Sequence, residues 1–177
     1  MSAPHTHTPS EAVSESLLGI DGAHHSISSL AGRTATVIVF IGNGCPTVRA
    51  YEDRLMALKN NWEASGVNLI AINANNHFLS PPDTIGEMAK RATERRFNFA
   101  YLKDEDRVVA KHLGAICTPH AFVLDRNLEV AYSGRIDDSR VGDTITSRNL
   151  ENAVADVVAG RVVTVTHTEP FGCSIVW

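Results

Sequence analysis

Apolar and polar residues follow two different periods along this chain, and each period predicts one type of element. Residues 34–41 are almost continuously apolar and β-branched, a pattern typical of a strand buried on both faces. The apolar residues that follow recur at helical spacing: Val48, Tyr51, Leu55, Leu58 and Trp62. Residues 67–73 form a second apolar run after Gly66, a residue that commonly ends a helix. Strand, helix and strand in this order predict a βαβ unit with a right-handed crossover.

Shorter elements are predicted beyond residue 75. Asp83 is a favourable N-cap for a helix that extends to Arg96. Pro119 cannot donate a hydrogen bond within a sheet, so it marks the entry of a buried strand, and residues 128–133 would return as the antiparallel partner. The remaining predicted elements are a strand at 99–102, a helix at 104–112, a helix at 149–159 and a strand at 161–166.

The chain is expected to form one domain between two short segments. Its 177 residues are 44% hydrophobic, which is enough for a single core. Residues 1–16 are polar and are expected to be flexible, whereas residues 17–166 carry the predicted elements of the domain. Residues 167–177 end in an apolar sequence, which predicts a tail that packs on the domain.

The charge and hydropathy of the chain argue against nucleic acid and membranes as partners. With a formal net charge of −4 and no block of basic residues, the chain is not expected to bind nucleic acid. No apolar run approaches the ~20 residues that a membrane-spanning helix needs, so no membrane partner is expected. Residues 1–16 lack the basic and apolar regions of a secretory signal, which predicts a cytoplasmic protein.

Cys45 occupies the junction between the first long strand and the first long helix. A glycine-rich break precedes it, and Pro46, a residue favoured at the first helical position, follows it. Cys45 is therefore the predicted N-cap of the helix. The unpaired amides and the positive end of the helix favour the thiolate, the form of cysteine that attacks disulfides and peroxides. The alternative is a buried and inert cysteine.

Cys117 and Cys173 complete the set of three cysteines, and both are far from Cys45 in sequence. Widely spaced cysteines in a cytosolic chain do not indicate a framework of structural disulfides. Reactive, redox and metal-binding roles are open for both residues, as is the role of a small buried side chain.

Six segments carry a resemblance to a known group of proteins: residues 43–46, 50–55, 99–104, 117–119, 134–140 and 172–177. They resemble the thioredoxin fold, and more narrowly the peroxiredoxin-like proteins of the alkyl hydroperoxide reductase/thiol-specific antioxidant group. The resemblance covers most of the chain from Leu17 onward. It implies an α/β domain in which helices flank a central mixed β-sheet, with a cis bond between Thr118 and Pro119 facing Cys45.

Several positions depart from the patterns of that group. Gly42 and Gly44 stand where many members carry the first cysteine and the histidine of a Cys-Asn-His-Cys-Pro loop, so a partner thiol for Cys45 must come from elsewhere. Ile38 and Gly42 stand where peroxiredoxins carry proline and threonine, and Pro119 lies near the position of their arginine. Because that threonine and arginine polarise the peroxide, fast peroxide reduction is not expected here.

The leading interpretation is thiol–disulfide exchange. The Cys45 thiolate would attack a substrate disulfide, and Cys117 or Cys173 would resolve the mixed disulfide. The residues expected to contact the substrate are Pro46, Thr118, Pro119 and His120. His120 could relay a proton, although a histidine that packs at a strand entry fits the same sequence. No cofactor is expected, and the partner would be a disulfide or thiol on a protein or a small molecule.

Two alternatives are open from the sequence. Cys45 could form a sulfenic acid with peroxide, resolved by Cys117, Cys173 or an external thiol, which would make the protein a weak antioxidant peroxidase. The three cysteines could instead converge on a soft metal, Cu(I) or Zn(II), without enzymatic activity. The leading interpretation assigns no metal ligand.

Overall fold

The computed structural model describes residues 9–177, which form an α/β structure. Its strands are β1 (Leu17–Gly19), β2 (His24–His25), β3 (Ala35–Phe40), β4 (Val67–Asn73), β5 (Ala100–Lys103), β6 (Cys117–Thr118), β7 (His120–Leu124), β8 (Val130–Gly134) and β9 (Cys173–Ser174). Its helices are α1 (Pro9–Ser14), α2 (Pro46–Trp62), α3 (Ile85–Arg95), α4 (Val108–Leu113) and α5 (Asn149–Val158). None of these helices is both long and apolar enough to cross a lipid bilayer.

Seven strands form one mixed sheet in the order β2-β1-β5-β4-β3-β7-β8. At its centre, β3 is parallel to β4 and antiparallel to β7, and β4 is parallel to β5 on its other side. Strands β6 and β9 form a separate two-stranded antiparallel sheet. The predicted α/β class, with a central mixed sheet and flanking helices, is confirmed.

Both faces of the central sheet are covered because its middle strands are apolar on both sides. Val37 and Val39 of β3 contribute to a first core shared with α2, α3 and α5. The alternate residues Ile38 and Phe40 contribute to a second core shared with α1 and α4. All six residues of β3 are buried, as expected of a central strand between two helical layers.

The first described helix lies within residues 1–16, the segment that is expected to be flexible. Residues Pro9–Ser14 form α1, and Ala12 and Val13 are buried in the second core beside α4. The flexibility of residues 1–16 stays a prediction. Residues 1–8 lie outside the described residues, and the division of the chain at residues 16 and 166 stays a prediction.

Two other predicted features differ from the structure. Thr84, rather than Asp83, caps α3 by accepting a hydrogen bond from the Glu87 amide at 3.4 Å. Asp83 is fully buried, and its carboxylate is satisfied by side chains and amides outside the helix. Residues 161–166 do not form a strand, because the Asp156 carboxylate binds this segment to the end of α5 in a turn.

Candidate active site

Cys45 lies at the junction of β3 and α2, as the sequence predicts. Its backbone is extended (φ −81°, ψ 115°), Pro46 is the first residue of α2, and the Val48 amide donates to Cys45 Sγ at 3.5 Å. The prediction of Cys45 as the N-cap is confirmed. Because Cys45 is only 4% exposed, the positive end of a 17-residue helix acts on a sulfur that is shielded from bulk water.

The loop at residues 42–44 is held from beneath by buried polar side chains. A Cβ atom on Gly42 would lie 2.5 Å from Asn75 Nδ2, so this position has no room for a side chain. The Asn43 amide donates to Asp83 Oδ1 at 2.7 Å. The position of Cys45 therefore depends on a glycine and on a buried carboxylate.

Asp83 is the centre of this buried network, which the sequence analysis missed. Its carboxylate also accepts hydrogen bonds from Asn73 Nδ2 at 2.8 Å and from Asn75 Nδ2 at 3.0 Å. Lys103 Nζ donates to the Asp83 carbonyl at 3.0 Å, and burial lowers the pKa of this lysine. The network joins the ends of β4 and β5 to the Cys45 loop. Asn73 and Asn75, which follow the apolar residues of β4, are the feature of the sequence that could have indicated this network.

Cys173 reaches Cys45 from the other end of the chain. Strand β9 pairs with β6 in a register that places Cys173 opposite Thr118. Cys45 Sγ and Cys173 Sγ lie 2.7 Å apart, and both cysteines are free. The structure thus brings a second thiol into direct contact with the predicted nucleophile.

The two thiols of this pair differ in acidity. Burial raises the pKa of Cys45, but the Cys173 thiol, the adjacent Thr118 hydroxyl and the Val48 amide stabilise the thiolate and together bring this pKa below its ordinary value. Burial raises the pKa of Cys173 to about 11, and the hydrogen bond with Cys45 acts in the same direction. The thiolate is therefore favoured on Cys45 and the proton on Cys173.

Thr118 presents two polar groups to the Cys45 sulfur. Its carbonyl accepts a hydrogen bond from the Cys45 thiol at 3.1 Å. Its hydroxyl is buried and has no hydrogen-bond partner of normal geometry among the described residues, so its proton is free to turn toward the sulfur. The peptide bond from Thr118 to Pro119 is cis, as the resemblance predicts.

Cys117 lies next to this site but faces away from it. It precedes Thr118 on β6, and successive side chains of a strand point to opposite sides. Its sulfur approaches the Pro119 carbonyl oxygen at 3.7 Å. Burial raises the pKa of Cys117 to about 11, and the nearby charge of Cys45 adds to the effect. Of the two predicted resolving cysteines, Cys173 is the one that this geometry favours.

His120 is held as a buried, neutral side chain. The Ile116 amide donates to His120 Nδ1 at 3.3 Å, so Nδ1 is the acceptor of the ring. The ring proton is therefore on Nε2, which donates to Ser133 Oγ at 3.0 Å. Burial lowers the pKa of His120 to about 4, with a smaller contribution from His167. These contacts support a packed residue at the strand entry rather than a proton relay.

A metal site formed by the three cysteines does not fit this arrangement. Within residues 9–177, no three His, Cys, Asp or Glu side chains form a group that could hold a metal ion. Cys117 is directed away from the contact between Cys45 and Cys173. The hypothesis of a Cu(I) or Zn(II) site at Cys45, Cys117 and Cys173 was therefore wrong.

Comparison with known proteins agrees with the geometry of the site. The AhpC/TSA family matches residues 9–133, most of the chain. The chain belongs to the AhpC/TSA family. This AhpC/TSA protein is 36% identical to an uncharacterized conserved protein from Geobacillus kaustophilus, with a TM-score of 0.85 over 92% of this chain and 87% of that chain. It is 31% identical to a hypothetical protein from Sinorhizobium meliloti 1021, with a TM-score of 0.86 over 94% of this chain and 92% of that chain.

More distant similarity bears on the fold alone. A secreted disulfide oxidoreductase of Mycobacterium tuberculosis is 18% identical, with a TM-score of 0.61 over 82% of this chain and 97% of that chain. The AhpC/TSA protein thus has the thioredoxin-like fold that its sequence predicts. The comparison with curated proteins found no match.

Proposed function

We propose that this AhpC/TSA protein is a thiol-based oxidoreductase in which Cys45 is the nucleophile and Cys173 the resolving cysteine. The observation that carries the proposal is the contact between two free sulfurs, 2.7 Å apart, at the N-terminus of α2. The lowered pKa of Cys45 suits attack, and the raised pKa of Cys173 keeps the second thiol protonated until it is needed. Membership of the AhpC/TSA family supports thiol chemistry in general.

In the first step, the Cys45 thiolate attacks one sulfur of a substrate disulfide. A bond forms between Cys45 Sγ and that sulfur, the S–S bond of the substrate breaks, and the other sulfur leaves as a thiolate. Around this reaction, the exposed Pro46 would flank the substrate, and the Thr118 hydroxyl would stabilise the attacking sulfur. Pro119, also expected to contact the substrate, is buried in this structure.

In the second step, Cys173 gives its proton to the thiolate that was released in the first step and attacks Cys45 Sγ. The bond between Cys45 and Cys173 forms, the mixed disulfide breaks, and the second substrate sulfur leaves and takes a proton from water. One substrate disulfide is reduced to two thiols while the two protein thiols are oxidised to one disulfide. Two external thiols, or one dithiol, restore the protein by the reverse exchange.

Peroxide reduction is the second candidate, and it is favoured by membership of the AhpC/TSA family. The Cys45 thiolate would attack one peroxide oxygen, break the O–O bond and form a sulfenic acid, while the other oxygen leaves as an alcohol or water. Cys173 would condense with the sulfenic acid and release water. Ile38 and Gly42 stand in place of peroxiredoxin proline and threonine, so this reaction is expected to be the slower one.

The proposal is tested by counting the thiols that a small disulfide releases. The wild-type protein, Cys173→Ser and the matched control Cys117→Ser are reduced, freed of reductant and mixed with glutathione disulfide. Wild type and Cys117→Ser should release both halves of each disulfide and retain no adduct. The Cys173→Ser protein should release one half and retain the other on Cys45, as peptide mass spectrometry would show. A retained adduct in Cys117→Ser, or no reaction of wild type, would overturn the proposed roles.

Hydrogen peroxide applied to the same three proteins separates the two candidate activities. If Cys45 forms sulfenic acid faster than it reacts with glutathione disulfide at equal concentration, peroxide reduction becomes the leading function. The reverse order supports disulfide exchange.

A further inference from the structure

The C-terminal tail, residues 172–177, lies directly against the Cys45 site. Its strand β9 pairs antiparallel with β6, and Cys173 stands opposite Thr118 in that pairing. Thr118 is also the residue whose carbonyl contacts Cys45 Sγ at 3.1 Å. The tail therefore occupies the backbone edge that faces the nucleophile.

A protein substrate would need this same edge. An extended polypeptide binds an open strand edge by adding a strand, with main-chain hydrogen bonds supplying the affinity. To react, a protein disulfide has to bring one of its sulfurs to Cys45, and the segment that carries it would pair at Thr118. In this structure Cys173 holds that position, with its sulfur 2.7 Å from Cys45 Sγ.

Two residues fix the tail on either side of Cys173. A Cβ atom on Gly172 would lie 2.0 Å from the Thr118 carbonyl oxygen, so this close approach requires glycine. Ile175 is only 3% exposed and packs in the second core. Because displacement of the tail would expose the Ile175 side chain to water, the docked arrangement is favoured.

Hydrogen bonds continue toward the end of the tail. The Ile175 amide donates to the Ile116 carbonyl at 3.4 Å, and the Val176 amide donates to Asn75 Oδ1 at 2.9 Å. The Asn76 amide donates to the Val176 carbonyl at 2.7 Å. These bonds satisfy the backbone of the tail, which is held as a strand rather than as a loose end.

The docked tail covers Cys45 more completely than it covers Cys173. Cys45 is 4% exposed, whereas Cys173 beside it is half-buried. A small molecule needs to approach one sulfur atom, but a protein segment also needs the backbone edge that the tail occupies. A small disulfide therefore meets only the cover over Cys45, whereas a protein disulfide also meets an edge that β9 already occupies.

We propose that the docked tail restricts the Cys45 site to low-molecular-weight disulfides and excludes protein disulfides. This inference rests on the proposed function, because it takes Cys45 as the nucleophile. The bonds formed and broken are those given above, with the small disulfide as oxidant. The tail acts as a resident strand that supplies the resolving Cys173 and at the same time blocks a competing polypeptide.

The test compares two probes on proteins that differ in the docking of the tail. All proteins carry Cys173→Ser, which preserves the strand and traps the mixed disulfide on Cys45. Ile175→Ala weakens tail docking, Gly172→Ala provides a second way to displace the tail, and Ser174→Ala at an exposed site is the matched control. Adduct formation with glutathione disulfide and with insulin is followed by mass spectrometry, and hydrogen exchange of the tail amides reports opening.

With the tail docked, we expect the glutathione adduct to form faster than the insulin adduct. Each opening variant should accelerate the insulin reaction by about tenfold or more, and the glutathione reaction by less than about threefold. Ser174→Ala should resemble its parent. Equal rates for the two probes in the parent protein would overturn the inference, as would opening variants that accelerate neither reaction or both equally. Failure of every protein to react with glutathione disulfide would instead contradict the proposed function itself.

Discussion

Strands β6 and β9 form one small sheet and each contributes a cysteine, but the two cysteines have different surroundings. Cys173 on β9 places its sulfur 2.7 Å from Cys45 Sγ. Cys117 on β6 directs its sulfur toward the Pro119 carbonyl, 3.7 Å away. Thr118 is the residue that pairs with Cys173, and Cys117 directly precedes it on β6. Because successive side chains of a strand point to opposite faces, Cys117 and Cys173 lie on opposite faces of this small sheet. Strand register therefore decides which of the two thiols contacts Cys45.

The pKa values of the two cysteines share their main cause and differ in the smaller ones. The pKa of each is raised to about 11, in both cases mainly by burial. The hydrogen bond with Cys45 contributes for Cys173, whereas Cys117 experiences only the charge of that residue and of other neighbours. The Cys173 proton thus stabilises the Cys45 thiolate, and the Cys117 proton makes no such contact in this arrangement.

Removing the Cys45 sulfur should have the largest effect on activity. Cys45→Ser replaces a thiolate by a hydroxyl that stays protonated at neutral pH, so consumption of glutathione disulfide should fall by several orders of magnitude. Cys117→Ser is the matched control. Adduct formation on Cys173 at the wild-type rate in the Cys45→Ser protein would show that the roles are reversed.

The next effect distinguishes the two strands directly. With millimolar external thiol, turnover of Cys173→Ser should be about 100-fold lower than that of wild type, because an intramolecular attack is replaced by an intermolecular one. Cys117→Ser should stay within about twofold of wild type, since the Cys117 sulfur contacts the Pro119 carbonyl rather than the reacting sulfurs and serine can keep that contact. A steady-state assay of glutathione disulfide reduction measures both, and equal losses in the two variants would refute the distinction.

A third prediction concerns how firmly Cys45 is fixed against β9. Gly42→Ala should destabilise the protein by about 1–3 kcal/mol, because its Cβ would lie 2.5 Å from Asn75 Nδ2. Gly44→Ala, in open space two residues later, should change stability by about 0.5 kcal/mol or less. Urea denaturation compares the two variants. Equal stability would mean that the Asn75 contact does not fix the loop.

The smallest effect is a change in acidity. Removing the Cys173 thiol with Cys173→Ala deletes a hydrogen bond to the Cys45 thiolate, which destabilises the charged form and raises the pKa of Cys45. The pH at which iodoacetamide alkylation of Cys45 reaches half its maximal rate should therefore move upward. Cys117→Ala should leave this midpoint in place. If Cys117→Ala moved this midpoint and Cys173→Ala did not, the hydrogen-bond donor to Cys45 would be on β6 rather than on β9.

Local sequence patterns were sufficient to predict the βαβ unit and the capping role of Cys45. The apolar run of β3, the glycine-rich break and Pro46 all act within one short stretch of chain. The same reasoning was wrong about Asp83, since a carboxylate one residue before the true cap Thr84 has the same local signature. Its partners come from β4 and from the Cys45 loop, which local patterns do not bring together.

The pairing of Cys45 with Cys173 was beyond the reach of the sequence for a similar reason. β9 is two residues long, so its register carries no periodic signal. That register is fixed by burial of Ile175 and by the hydrogen bonds of Val176 with Asn75 and Asn76, contacts that span about a hundred residues. The sequence therefore left Cys117 and Cys173 as alternatives, and tertiary contacts separate them.

The most direct test of the account is the location of the disulfide that forms when the reduced wild-type protein reacts with one equivalent of glutathione disulfide. After the remaining thiols are alkylated and the folded protein is digested, mass spectrometry identifies the linked peptides. The account predicts a peptide pair joined between Cys45 and Cys173, with Cys117 recovered as an alkylated thiol. A bridge between Cys45 and Cys117, or a free Cys45 after the oxidant has been consumed, would contradict it.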